Sequence, residues 1–175
     1  MIVLETERLT VRRITEDDAI FILRLLNEPS FLRHIGDRGV RTVADAVKYI
    51  VDGPIASYDR FGFGMFLVEL KDGLEPLGIC GLLKRDALDD VDLGFAFVPE
   101  FWSRGYAFES ASAMVAWGRE TRGLRRIVAI VSQENLASIN LLMKLGFSFE
   151  RMVLMPGGKE ELRLFTRNLG DQDHG

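Results

Sequence analysis

The sequence predicts an α+β fold: one domain with a central mixed, mostly antiparallel twisted sheet flanked by about four helices. Three observations carry that expectation. Short runs of branched and aromatic residues recur along the chain. They come in consecutive groups, broken by segments of helical period. One run, LRRIVAIVS, is apolar almost throughout, as in a strand covered on both faces. A chain of 175 residues can bury such a core without staples. No repeat, linker or low-complexity tract divides it. Residues 1–170 are therefore read as one domain, and residues 171–175, with an incidental His174, as a frayed tail.

The elements follow in order. Ile2 to Ile14 contains alternating LTVRRI and reads as a first strand. Thr15 can cap a helix with Asp18 in its acidic first turn, running to about Leu26 and ended by Pro29. FLRHIGDRGV reads as a loop. Thr42 then caps a second helix from Val43 to about Tyr58, with Val43, Val47, Ile50 and Val51 at helical spacing. FGFGMFLVEL and PLGICGLLKRD read as hairpin strands around Lys71, Asp72 and Gly73. VDLGFAFV is a strand stopped by Pro99, which has no N–H for a ladder. A helix from Ser103 to about Thr121 leads to LRRIVAIVS. Asn135 to Leu145 is a short helix with Gly146 at its left-handed stop. FSFERMVLM and KEELRLFTRN close the chain as two strands around Pro156, Gly157 and Gly158.

Composition narrows the function. With 47% apolar and 27% charged residues the balance is that of a soluble globular protein. A net charge of −4 without a basic block argues against a nucleic-acid surface. Cys80 is the only cysteine, which excludes an intrachain disulfide and a cysteine metal centre; its setting in LGICGLL marks a small buried hydrophobe. No metal is expected. Glu5, Glu7 and Arg8 come too early for a signal-peptide apolar run, and no segment approaches the ~20 apolar residues of a membrane span. A cytoplasmic protein, monomer or homodimer, with no membrane partner is the expectation.

The chemistry concentrates where VDLGFAFV hands over to the next helix. A helix N-terminus leaves backbone N–H groups unpaired and carries roughly half a positive charge, so it can seat a phosphate or pyrophosphate. The residues there are Ser103, Arg104, Gly105, Tyr106, Ala107 and Phe108, and Gly105 has no Cβ to hold a ligand off the backbone. One glycine before a helix is more often an ordinary connection. In the strand, alternation puts Val91, Leu93, Phe95 and Phe97 on one face and Asp92, Gly94, Ala96 and Val98 on the other. The second face, small at its centre with an acid at one end, suits a slim extended ligand; it equally suits a packed helix. The glycine spacing of a dinucleotide-binding turn is absent.

These residues resemble the GCN5-related N-acetyltransferases. That family's Gln/Arg-x-x-Gly-x-Gly/Ala loop, which holds the pyrophosphate of acetyl-coenzyme A on backbone amides, corresponds to Trp102, Ser103, Arg104, Gly105, Tyr106 and Ala107, with Trp102 departing from the usual Gln or Arg. The resemblance assigns Phe97 and Val98 backbone bonds to the pantetheine arm. NLASINLLMKLGF matches the family's Asn-x-x-Ser/Ala…Lys-x-Gly-Phe segment through Asn135, Ser138, Lys144, Gly146 and Phe147, residues that also have plain capping and helix-stop roles. Many relatives carry a thiolate-protonating tyrosine where this chain has Leu142. ETERLTVRRITEDDA and FWSRGYAFES look closest to the ribosomal-protein-alanine/serine acetyltransferases, which suggests Ser138 as the substitute acid.

The resemblance implies direct acyl transfer from acetyl-coenzyme A to a primary amine, of a protein N-terminus or a small molecule. Asp92 would be the base, directly or through water, and a backbone N–H near Phe97 would polarise the acetyl oxygen. The acceptor pocket would lie at FLRHIGDRGV and the last hairpin, with His34 a candidate contact, although a loop histidine is more often merely solvated. The alternative is a non-catalytic coenzyme A or acyl-coenzyme A sensor, motivated by the missing tyrosine.

Overall fold

A computed structural model describes residues 1–170; the expected frayed tail and His174 lie outside the described residues. The first expected strand is in fact a hairpin of two, β1 (Ile2–Glu5) and β2 (Leu9–Arg13). Its turn is closed by the Thr6 N–H on the Leu9 carbonyl at 2.9 Å. Helix α1 (Ala19–Leu26) follows a 3-10 turn, and Pro29 does more than end it. Its fixed φ and missing N–H suit the first helical position, so it opens α2 (Pro29–His34) inside the stretch expected to be a loop.

Thr42 caps α3 (Val43–Ile50) as expected, accepting from the Asp45 N–H at 3.1 Å while Asp45 returns a bond to the Thr42 N–H. Pro54 cannot supply an intrahelical bond, and the backbone passes it as a π-helical turn, Val51–Ile55, into α4 (Ala56–Phe61). Strands β3 (Met65–Leu70), β4 (Pro76–Leu83) and β5 (Asp92–Phe97) come next, then α5 (Tyr106–Arg122), β6 (Arg126–Ser132), α6 (Leu136–Lys144), β7 (Ser148–Val153) and β8 (Leu162–Asn168). Six α-helices among the described residues thus stand where about four were expected, because Pro29 opens one inside an expected loop and Pro54 divides another.

The eight strands form one sheet in the order β1-β2-β3-β4-β5-β6-β8-β7. Every neighbouring pair is antiparallel except β5 and β6, the pair joined by the α5 crossover. Helix α5 lies across β4 and β5. Its Ser110, Ala111, Met114, Val115 and Gly118 are buried there with Phe66, Cys80 and Leu82. Phe66 meets the edge of Trp117 at 5.8 Å between ring centres. Gly118 lets the helix settle close: a Cβ there would stand 3.1 Å from Leu82 Cδ1. Full burial of side chains such as Leu82 and Met114 stabilises the fold by about 1.5–3 kcal/mol each. This fixes the N-terminus of α5 beside the end of β5.

Candidate functional site

The site begins where the sheet comes apart. β5 pairs with β4 in unbroken register from Gly78↔Phe97 to Leu83↔Asp92, so its side-chain alternation is that expected from sequence. With β6 it pairs only where Asp92 meets Val128. The Val98 N–H donates to the Leu77 carbonyl at 3.0 Å. Backbone groups of alternate residues face the same neighbour in an antiparallel ladder, so Asp92, Gly94, Ala96 and Val98 turn towards β4. Leu93, Phe95 and Phe97 therefore turn their N–H and C=O groups towards β6, which diverges beyond the Asp92–Val128 pairing and leaves those of Phe95 and Phe97 facing a gap. A cleft of about 680 Å³ opens there, with Phe95, Ala96 and Phe97 on its floor, a volume suited to a small ligand.

One wall is the start of α5. Ser103 has φ +62° and Gly105 has φ +83° at the N-cap. A left-handed serine costs roughly 1–2 kcal/mol and persists only where its surroundings impose it. The first amide bonded back into the helix is that of Glu109, to the Gly105 carbonyl at 3.0 Å. The N–H groups of Ser103 through Phe108 have no acceptor among the described residues. The loop carbonyl is held separately, since Arg8 Nη1 donates to the Arg104 oxygen at 3.0 Å. Arg8 also pairs with Glu109 at 3.0 Å, and its guanidinium stands 4.5 Å above the Tyr106 ring centre. Thr6 Oγ1 donates to the other Glu109 oxygen at 2.9 Å. Converging N–H groups at a helix N-terminus form an anion seat, and this one is braced by Thr6 and Arg8 of the β1–β2 turn. The Trp102 indole N–H donates to the Phe97 carbonyl at 2.8 Å, tying the loop to the end of β5.

The other walls come from α6 and from α1 with α2. Asn135 caps α6, its Oδ1 accepting from the Ser138 N–H at 3.3 Å; Asn135, Ser138 and Lys144 all line the cleft. From the far side Glu28, Phe31 and His34 line it. His34 Nδ1 lies 3.2 Å from Ser132 Oγ, joining α2 to the end of β6. Among the described residues there is no cluster of acidic, histidine or cysteine side chains fit to hold a metal, and no helix long and apolar enough to cross a membrane.

Residues 8–148 match the Acetyltransferase (GNAT) domain family. This chain belongs to the GNAT acetyltransferase family. It is 30% identical over 150 residues to the uncharacterized N-acetyltransferase YoaA of Bacillus subtilis, covering 85% of this chain and 84% of that protein. Its fold matches the crystal structure of an acetyltransferase from Agrobacterium tumefaciens with a TM-score of 0.80 at 24% identity, over 96% of this chain and 95% of the other. RimL, the ribosomal L7/L12 α-N-protein acetyltransferase in complex with coenzyme A, superposes with a TM-score of 0.82 at 17% identity over 96% and 98% of the two chains, a likeness of fold alone. The protein is thus an acetyltransferase, and transfer from acetyl-coenzyme A is the chemistry of its family.

In this GNAT protein Phe97, Ser103, Gly105, Tyr106, Ala107, Phe108, Asn135 and Ser138 come together on the cleft. Arg104 does not line it; its guanidinium rests 5.8 Å from the Phe101 ring centre, and its carbonyl is the one Arg8 holds. Val98 departs from expectation. Its N–H is bonded to Leu77 and its carbonyl accepts from the Phe101 N–H at 3.1 Å, so neither group faces the gap. Asp92 is also displaced from its expected place. It lies at the closed end where β5 still pairs with β6, is 1% exposed, and is absent from the cleft lining. Burial pushes its pKa up against the pull of Arg85, whose Nε lies 3.2 Å away. Leu142 is buried in the core, whereas Leu141 meets the cleft. Sequence reasoning missed Arg8 and Glu109, which meet across 101 residues, and the indole bond of Trp102. No local pattern announces the first. The second was signalled only by a donor side chain at an expected Gln or Arg position.

Proposed function

We propose that this acetyltransferase moves the acetyl group of acetyl-coenzyme A to a primary amine by direct attack, without a covalent enzyme intermediate. The observation that carries the reading is the meeting, in one cleft, of the unpaired β5 edge and the free amides at the start of α5. The amides from Ser103 to Phe108 fit a pyrophosphate: they converge at a helix N-terminus, Gly105 has no Cβ, and Arg8 keeps the Arg104 carbonyl engaged elsewhere. The pantetheine arm would lie along Phe95 and Phe97 as a surrogate strand, with the Phe97 N–H directed at the acetyl oxygen. Ser138 Oγ lines the cleft without a protein partner among the described residues and would protonate the leaving thiolate. A thiol with an ordinary pKa of about 8.5 needs little such help. In this reading Asp92 anchors the closed end of the β5–β6 fork through Arg85, and the proton of the amine leaves by another group. The acceptor is a small-molecule amine or a protein N-terminus.

Thiol release from acetyl-coenzyme A with a panel of amines and short peptides tests the proposal, alongside calorimetry of acetyl-coenzyme A binding. Saturable binding with no thiol release on any acceptor would replace the amine transferase by a coenzyme A sensor. An absence of binding would refute the site itself.

A further inference from the structure

Transfer to an amine, on which this inference rests, requires a proton to leave the nitrogen, and the cleft offers few acceptors for it. Glu28 at the N-cap of α2, His34 from α2, Glu134 before α6, and Tyr106 and Lys144 from α5 and α6 are its titratable lining groups. Glu28 lies 3.5 Å from Arg24, and Glu134 lies 3.5 Å from Arg33, the neighbour of His34. A carboxylate is about six pKa units less basic than an alkylamine, and tyrosine and lysine are ordinarily protonated at neutral pH. Imidazole changes charge between about pH 5 and 8, so it is the best matched of these to proton transfer under ordinary conditions. His34 is half-buried and holds a fixed partner from 98 residues away, Ser132 Oγ at 3.2 Å from Nδ1.

We propose that His34 is the proton acceptor for the amine, its Nδ1–H donated to Ser132 Oγ and its Nε2 lone pair turned to the cleft. An ammonium acceptor passes one proton to Nε2. The freed nitrogen pair forms the C–N bond as the carbonyl π pair moves to oxygen, and collapse breaks the C–S bond. The second nitrogen proton neutralises the thiolate through Ser138 or water, and the His34 imidazolium returns its proton to solvent. Ser132 is a positioning residue, setting the tautomer through a hydrogen bond.

The test compares His34→Asn, which keeps a donor for Ser132 and loses the basic nitrogen, with Ser132→Ala and wild type. Acceptors are the fastest of ethanolamine, putrescine and an alanine-led tripeptide, and hydroxylamine, which is already neutral at pH 7. For the first, kcat/KM at pH 7 falls on the order of 100-fold in His34→Asn and the acid limb of its pH profile disappears. For hydroxylamine the fall is about fivefold or less, because no base is needed. Equal losses with both amines, or a surviving acid limb, overturn the proposal. A second measurement is independent of the acceptor: long-range 15N–1H correlation of histidine-labelled protein, which holds two histidines. His34 shows the Nδ1-protonated pattern, lost in Ser132→Ala; an Nε2-protonated pattern in wild type overturns the assignment. If no amine supports turnover, the acetyl-transfer reading fails on that result, and the tautomer still decides the His34–Ser132 pairing.

Discussion

Trp102→Phe isolates the bond that joins the anion-binding loop to the pantetheine edge. The substitution keeps an aromatic ring at the cleft and deletes the N–H that donates to the Phe97 carbonyl at 2.8 Å. A neutral hydrogen bond contributes about 0.5–1.5 kcal/mol net. Trp102 is 49% exposed, so the smaller ring loses little burial, and the freed carbonyl faces a cleft that water can enter; the effect stays near 1 kcal/mol. For a domain of this size that is a fall in Tm of about 2–4 °C. The same bond holds Phe97 in register for the arm, so the Kd for acetyl-coenzyme A should rise about fivefold, the equivalent of about 1 kcal/mol. Differential scanning calorimetry gives the first number and titration calorimetry the second. Trp102→Leu, which removes ring and donor together, should be worse on both. A Trp102→Phe protein indistinguishable from wild type in Tm and Kd would show that the indole bond holds nothing.

Three further outcomes follow from the geometry. Gly105→Glu forces a left-handed side chain, sets a Cβ 3.2 Å from Arg8 Nη2 and puts an anion at the phosphate seat; titration calorimetry should show at least about a hundredfold weaker binding of acetyl-coenzyme A, roughly 3 kcal/mol, and unchanged affinity would move the seat elsewhere. Cys80 is fully buried, and burial raises its thiol pKa to about 12, so labelling by a thiol reagent in native buffer should run no faster than unfolding; rapid labelling would contradict the packing under α5. Asp92 has a folded pKa raised by burial above 3.8, so its contribution to stability is fully present below that value and declines as pH rises through the folded pKa. Urea denaturation of wild type and Asp92→Asn from pH 4 to 7 should therefore show the difference moving against wild type, and a shift in the other direction would mean that Arg85 outweighs desolvation.

The strands and the long helix were legible because their signals are local: alternation in DLGFAF, the proline after it, the glycine at 105, the asparagine that caps α6. The extra helices were not, because Pro29 and Pro54 have two helical uses, at a first turn and within a π-turn, and only tertiary packing selects between them and a break. The polar run Thr6-Glu7-Arg8 hid the β1–β2 turn inside one expected strand. For the site, the anion seat was readable from one loop. Which backbone groups face the ligand was not, since it depends on the β4–β5 register, a contact between segments. That register is what takes Val98 out of the cleft and leaves Phe95 and Phe97 in it. Asp92 had the right face by parity, but its place along the strand matters more: the fork opens only beyond it.

The fork makes a residue-by-residue expectation that a generic pocket does not. If the arm of acetyl-coenzyme A completes the sheet beside β5, it must bond the groups that β6 leaves open, those of Phe95 and the N–H of Phe97, and cannot bond those already given to β4. Ala96 and Val98 share the strand, the backbone direction and nearly the same depth, yet their N–H groups face Ile79 and Leu77, respectively, across the ladder. Amide exchange followed by NMR should therefore show Phe95 and Phe97 exchanging fast in the free protein and slowing on addition of acetyl-coenzyme A, with Ala96 and Val98 protected throughout. The alternation is the decisive feature. Uniform slowing of residues 95 to 98 would mean that the ligand merely tightens the domain, and no slowing at Phe95 or Phe97 would mean that it does not lie along this edge.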